Sequence, residues 1–353
     1  MKKLFVILAM AAVAVGCNKA RCVIEGDVLG VSDGVVKLVT SDRDATVLDS
    51  VEIKSGRFTF NVNDEEVKLV RIVSNDERLA TLFTESGKIK VSGNFESDTI
   101  YAEGTVSNDA FSDCNATLKR FSQRFAQAAE GQHAAIREEY MEYLDSMIMN
   151  NMDNVFGVTF YVYNKAPMIA EKEAEATLTA LPQHLQKLTI VQEALDRIER
   201  KMRVTPQEGE PLPHYIDVVQ PDVNGNDISL KSVIENPKNR YVLLDFWASW
   251  CGPCMGEMPY LTKAYAKYHK LGFEIFGVSL DSKADKWREA IDKVSMKWIN
   301  VSKIEGFDVQ AAYDYAVNAI PSNFLIDCKT GEIIAVSLRG EEVEAKLKEL
   351  LKK

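Results

Sequence analysis

The run Tyr241-Val242-Leu243-Leu244-Asp245-Phe246 opens onto Trp247-Ala248-Ser249-Trp250-Cys251-Gly252-Pro253-Cys254 and then onto a helical pattern. No other stretch restricts the chain as much. Apolar, β-prone residues followed by Cys-Gly-Pro-Cys and helical periodicity predict a strand, a turn and a helix N-terminus. The thiolate is the nucleophilic form of cysteine, and a helix N-terminus stabilises it with unpaired N–H groups and the positive end of the dipole. Two intervening residues leave the second thiol within disulfide reach of the first, so the pair can switch between dithiol and disulfide. The alternatives are half of a zinc site or an inert buried pair. Zinc needs two further ligands, and His133, His184, His214 and His269 form no ligand spacing with each other or with a second Cys-x-x-Cys. No metal is expected. No dinucleotide fingerprint and no other cofactor signature occurs either, so electrons must come from another protein.

Asp245 through Cys254 resemble the active-site segment of thioredoxin. The surrounding residues resemble the TlpA/ResA branch of that superfamily, envelope-anchored thiol–disulfide oxidoreductases of bacteria. The resemblance implies a redox disulfide between Cys251 and Cys254, with Cys251 the exposed nucleophile and Cys254 the less exposed resolving thiol. Asp245 stands where thioredoxin has its buried carboxylate, which implies a raised pKa and a role as proton acceptor for Cys254. Many TlpA-like chains carry asparagine or another residue there, and a strand aspartate can also simply bond the backbone. Trp250, Gly252 and Pro253 would shape the surface that meets substrate. Further on, Ala319-Ile320-Pro321-Ser322-Asn323 precedes the apolar run Phe324-Leu325-Ile326. It resembles the superfamily's Ile-Pro-Thr segment, in which the proline is cis and faces the cysteines. Pro321 then removes an N–H and a potential metal ligand, while the Ile320 backbone can pair with an extended substrate. A trans proline starting a strand is the alternative.

The first residues read as an address. Lys2 and Lys3 precede the apolar stretch Leu4–Val15, and Ala14-Val15-Gly16-Cys17 follows. This resembles a bacterial lipobox, in which Cys17 becomes the lipidated N-terminus, although Ala14 departs from the usual leucine. Twelve apolar residues are short for an uncleaved membrane span. The expectation is a signal peptide over 1–17 and a periplasm-facing lipoprotein in the cell envelope. Asn18 carries no clear retention signal, so inner and outer membrane both stay open. In an exported chain disulfides persist, yet Cys22, Cys114 and Cys328 are left over by the active-site pair. A Cys22–Cys114 tie is conceivable; three small buried hydrophobes are the simpler expectation.

Residues 18–104 show short alternating strands with turns at Asp33-Gly34, Ser55-Gly56 and Ser86-Gly87. Spacing of roughly 8–12 residues suggests a small all-β sandwich or barrel. It resembles an N-terminal β-domain of unknown function found ahead of TlpA-like domains in lipoproteins of the Bacteroidetes. Residues 105–205 switch to helical periodicity, with Phe111, Leu118, Phe121 and Phe125 on one face and Gly131 between two helices. This helical segment could pack on the redox domain or form a homodimer interface. Pro206, Pro211 and Pro213 mark a linker, and 206–353 is expected to be an α/β thioredoxin fold.

A net charge of −10 and the absence of a basic patch exclude nucleic acid as a partner. Gly-Pro is the thioredoxin dipeptide, and thioredoxin lies near about −270 mV, a reductant. The expected function is therefore reduction of disulfides in envelope proteins, fed by a membrane thiol electron donor. An oxidase or isomerase is the nearest alternative. A peroxiredoxin-like peroxidase would need Pro-x-x-x-Thr-x-x-Cys, whereas Ala248 stands three residues before Cys251. A binding-only lipoprotein would make Cys251→Ala silent.

Overall fold

The computed structural model describes residues 22–41, 45–64, 66–97 and 99–351. The expected leader and Cys17 lie outside these residues. The chain forms two compact units. One runs to Ala170 and also takes Ala176–Gln192; the other gathers Glu171–Glu175 and the chain from Glu193 onward.

In the first unit eight strands follow one another: β1 (Cys22–Leu29), β2 (Gly34–Thr40), β3 (Val47–Ile53), β4 (Arg57–Val62), β5 (Leu69–Ser74), β6 (Glu77–Phe83), β7 (Gly87–Asn94) and β8 (Thr99–Glu103). They build two four-stranded sheets, β4-β1-β7-β8 and β3-β2-β5-β6. Alternation along each strand turns one face inward. Ile24, Phe60, Ile89 and Val91 of the first sheet share one core with Val36, Leu38, Ile72 and Leu82 of the second. Gly26 is needed where it stands, because a Cβ there would lie 2.1 Å from the Phe58 ring. All pairs are antiparallel except β1 with β7, which run parallel; the alternating pattern is the same for both directions and cannot distinguish them.

Helices follow: α1 (Val106–Gln127), α2 (His133–Asn150), α3 (Val155–Phe160), α4 (Glu171–Thr179), α5 (Gln183–Gln186) and α6 (Thr189–Val204). Gly131 lies between α1 and α2, and Phe121 packs 5.7 Å from the rings of both Tyr140 and Tyr143. Apolar periodicity over 185–202 predicts one amphipathic helix, and the structure breaks it between α5 and α6. The Gln186 side chain turns back to donate to the Thr179 and Leu181 carbonyls, and Gln192 donates to the Gln186 carbonyl. These bonds hold a corner that apolar periodicity does not reveal.

The second unit contains β9 (Val219–Pro221), β10 (Asp227–Ser229), α7 (Leu230–Ile234), β11 (Tyr241–Trp247), α8 (Gly252–Tyr268), β12 (Phe273–Ser279), α9 (Ala284–Val294), β13 (Ile299–Val301), α10 (Gln310–Asp314), β14 (Ser322–Asp327), β15 (Ile333–Val336) and α11 (Glu341–Leu351). The main sheet has the order β13-β12-β11-β14-β15. β11 runs parallel to β12 and antiparallel to β14. Every residue of β11 and β12 is buried, as continuous apolar runs in a covered sheet require. The pattern over 215–219, ahead of Asn224-Gly225-Asn226, reads as the first strand of a hairpin, yet β9 begins only at Val219. Tyr215 N–H is already committed to the Gly331 carbonyl, and the Asp217 carboxylate accepts from the Ser229 hydroxyl and Lys231 N–H.

Candidate active site

β11 is the middle strand of the five, so its C-terminal end opens at the centre of the sheet edge. The chain leaves it through Ala248-Ser249-Trp250 and enters α8 at Gly252, three residues earlier than Met255, where the sequence pattern places the helix. Pro253 falls in the first turn, where its missing N–H has no intrahelical partner to lose. Cys251 is the N-cap: its Sγ accepts from Cys254 N–H at 3.1 Å. Cys251 and Cys254 form a disulfide, with Sγ atoms 2.03 Å and Cα atoms 5.2 Å apart. The turn is tied down by Asp281, just beyond β12. This buried carboxylate accepts from Ser249 N–H (3.0 Å), the Ser249 hydroxyl (2.6 Å) and the Ser279 hydroxyl (2.8 Å).

The antiparallel register pairs Phe246 with Ser322 and Asp245 with Asn323. The residues just before β14 therefore arrive beside the cysteine turn. The Ile320–Pro321 bond is cis, and the Ile320 carbonyl lies 3.7 Å from Cys251 Sγ. Trp250 is 58% exposed, with its ring 6.3 Å from that of Phe307. Gly252 and Pro253 are exposed beside it.

Cys251, expected to be exposed, is only 4% accessible in the disulfide form, against 1% for Cys254. Its sulfur is tucked between the first turn of α8 and the Ile320 carbonyl. Asp245 is buried within β11. Burial pushes its carboxyl up to about 7, opposed by the Arg339 guanidinium and reinforced by the Glu257 carboxylate. Three residues that pattern reading does not single out thus belong to the surroundings: Asp281, Glu257 and Arg339. Glu257 was within reach, since it stands three residues after Cys254 on the same helix.

Cys22, Cys114 and Cys328 are free; Cys22 and Cys114 are buried and Cys328 partly so. Burial raises the first two thiols to about 11 and Cys328 to about 12. They are poor nucleophiles at neutral pH, which leaves the exchange chemistry to the Cys251–Cys254 pair.

The chain is similar to known proteins. A sequence model of the AhpC/TSA family matches residues 210–336, and one of a domain of unknown function, DUF4369, matches residues 22–111. Thiol-disulfide oxidoreductase ResA of Bacillus thuringiensis subsp. konkukian is 33% identical over 155 residues, 44% of this chain and 80% of its own length. ResA of Geobacillus kaustophilus is 31% identical over 137 residues, 38% of this chain and 74% of its own. A solved thiol-disulfide oxidoreductase from Bacteroides fragilis is 34% identical and covers 39% of this chain and 98% of its own, with a TM-score of 0.36. With its redox-active cysteine pair at the end of the central strand, the chain belongs to the thioredoxin superfamily as a ResA/TlpA-like thiol–disulfide oxidoreductase that carries an N-terminal β-domain of the DUF4369 type.

Proposed function

We propose that this enzyme reduces disulfides of other proteins in the cell envelope, held at a membrane through Cys17 and recharged by a membrane thiol donor. The observation that carries the reading is the Cys251 sulfur at the N-cap of α8, 3.1 Å from the Cys254 N–H and beside the Ile320 carbonyl. In the reduced protein that N–H and the helix dipole stabilise the Cys251 thiolate. The thiolate attacks one sulfur of the substrate disulfide; the S–S bond breaks and the other sulfur leaves as a thiolate that takes up a proton. Cys254 then gives its proton to Asp245, through water, and attacks Cys251 Sγ. The Cys251–Cys254 disulfide re-forms and the second substrate sulfur leaves as a thiolate that takes the proton back from Asp245. Two electrons have passed to the substrate, with one proton from Cys254 and one from water. A carboxyl at about 7 suits this role, since it both accepts and returns a proton near neutrality. Pro321 and Ile320 would align an extended substrate segment, with Trp250, Gly252 and Pro253 forming the rest of the contact. On this reading the domains divide as 18–104, 105–205 and 206–353, behind a lipoprotein signal segment over 1–17 that is cleaved ahead of Cys17, which stays as the anchor.

The test is the equilibrium reduction potential of the Cys251–Cys254 pair. A value near about −270 mV supports a reductase, and one near about −120 mV makes the protein a disulfide-forming oxidase instead. The AhpC/TSA match to residues 210–336 favours a second reading, a peroxidase. Consumption of hydrogen peroxide by the reduced protein, at rates that survive Cys254→Ala, would select it.

A further inference from the structure

The loop between β15 and α11, Ser337 to Gly340, bonds to Asn323, Pro321 and Glu257 around the site. Ser337 N–H donates to the Asn323 carbonyl at 2.9 Å. Leu338 satisfies both backbone groups on the Asn323 amide: its N–H donates to Oδ1 and its carbonyl accepts from Nδ2, each at 2.9 Å. Asn323 is the register partner of Asp245. Gly340 N–H donates to the Glu257 carboxylate at 2.7 Å, on the helix that carries Cys254. Between them, the guanidinium of Arg339 donates from Nη1 to the Leu338 carbonyl at 2.9 Å and from Nη2 to the Pro321 carbonyl.

We propose that Arg339 is a positioning residue of the thiol–disulfide site, clamping the Pro321 carbonyl one residue along from the Ile320 carbonyl that lies beside Cys251, and setting a positive charge against the buried Asp245. The inference rests on the proton-acceptor role of Asp245. Both named acceptors of the guanidinium are neutral carbonyls, and the Glu342 carboxylate accepts from the Arg339 backbone N–H at 2.8 Å. A nearby cation favours the ionised form of a carboxyl. The other groups around Asp245 are few. β12 and β14 present Gly277 and Asn323 in register, which do not titrate; α8 presents Glu257, which acts in the opposite direction to Arg339. Without Arg339, desolvation and Glu257 act unopposed, and Asp245 becomes a weaker acid. The Pro321 carbonyl also loses its donor.

Arg339→Gln removes the charge, and Arg339→Lys keeps it while losing the planar two-pronged donor. The experiment is a carbon-13 carboxyl titration of Asp245 in the oxidised protein, assigned with Asp245→Asn, together with the pH profile of protein-disulfide reduction. Arg339→Gln is expected to move the Asp245 titration up by about one pH unit and to carry the inflection of the rate profile with it. Arg339→Lys should restore most of the titration while raising KM for a disulfide peptide. An Asp245 titration unmoved in Arg339→Gln, with an inflection that Asp245→Asn abolishes, overturns the inference for Arg339 alone. A moved titration with an unmoved rate profile overturns the proton-acceptor role of Asp245, and the catalytic inference with it. If Arg339→Gln fails to fold, the same titration in Arg339→Lys decides: a titration displaced as far as about one pH unit overturns the assignment to charge.

Discussion

Asp245→Asn should stabilise the protein, and by an amount that depends on pH. In the unfolded chain this carboxyl titrates near 3.8, and in the native protein at about 7. The native state thus holds its proton over a range in which the unfolded state has already released it. Stability from the neutral carboxyl is fully present below about pH 4, declines as pH rises, and is lost once pH has passed the native value near 7. At ~1.4 kcal/mol per pH unit, the difference amounts to about 4 kcal/mol. Asparagine keeps the shape and cannot ionise, so the variant should gain on the wild type by about 4 kcal/mol between pH 4 and pH 8.5, levelling off above pH 7. The assay is urea unfolding of the oxidised protein followed by tryptophan fluorescence. All four tryptophans (Trp247, Trp250, Trp287 and Trp298) lie in the C-terminal unit, so the signal reports that unit alone. A gap between variant and wild type that is constant from pH 4 to pH 8.5, or that narrows with rising pH, refutes the burial argument. The same variant should slow disulfide reduction at neutral pH, linking the stability cost of the buried acid to its use.

Asp281→Ala removes the acceptor for Ser249 N–H and for the Ser249 and Ser279 hydroxyls; a loss of about 3 kcal/mol is expected in the same urea assay, with a slower attack by Cys251. Gly277→Ala would set a Cβ 2.7 Å from Asn300 Oδ1 and 3.2 Å from Trp247 Nε1. Overpacking of about 1–3 kcal/mol should lower the urea midpoint, and an unchanged midpoint would mean that Asn300 gives way freely. Phe60→Ala empties a fully buried position of the β-domain core and should cost about 3–5 kcal/mol there. Scanning calorimetry should show one early transition, while the potential of the Cys251–Cys254 pair stays at the wild-type value.

Local rules made the redox centre legible. Strand, turn and helix N-terminus follow one another within a single stretch, so periodicity and helix-end chemistry suffice to place Cys251 and Cys254. Gly-Pro at the start of α8 and the alternation of β1 to β8 are local in the same sense. Direction of pairing is not: β1 and β7 run parallel, and their side-chain pattern would be the same had they run antiparallel. The partners of the site escape for a related reason. Asp281, Asn323 and Arg339 are separated from the cysteine stretch by whole strands and helices, and each is an ordinary polar residue in its own segment. They become neighbours of the site because β11 pairs with β12 on one side and with β14 on the other. Chemical identity was thus written into ten consecutive residues, Asp245 to Cys254. The burial of Asp245 and the charge set against it arise from long-range pairing, because desolvation and Coulomb interaction depend on distance in space and not along the chain.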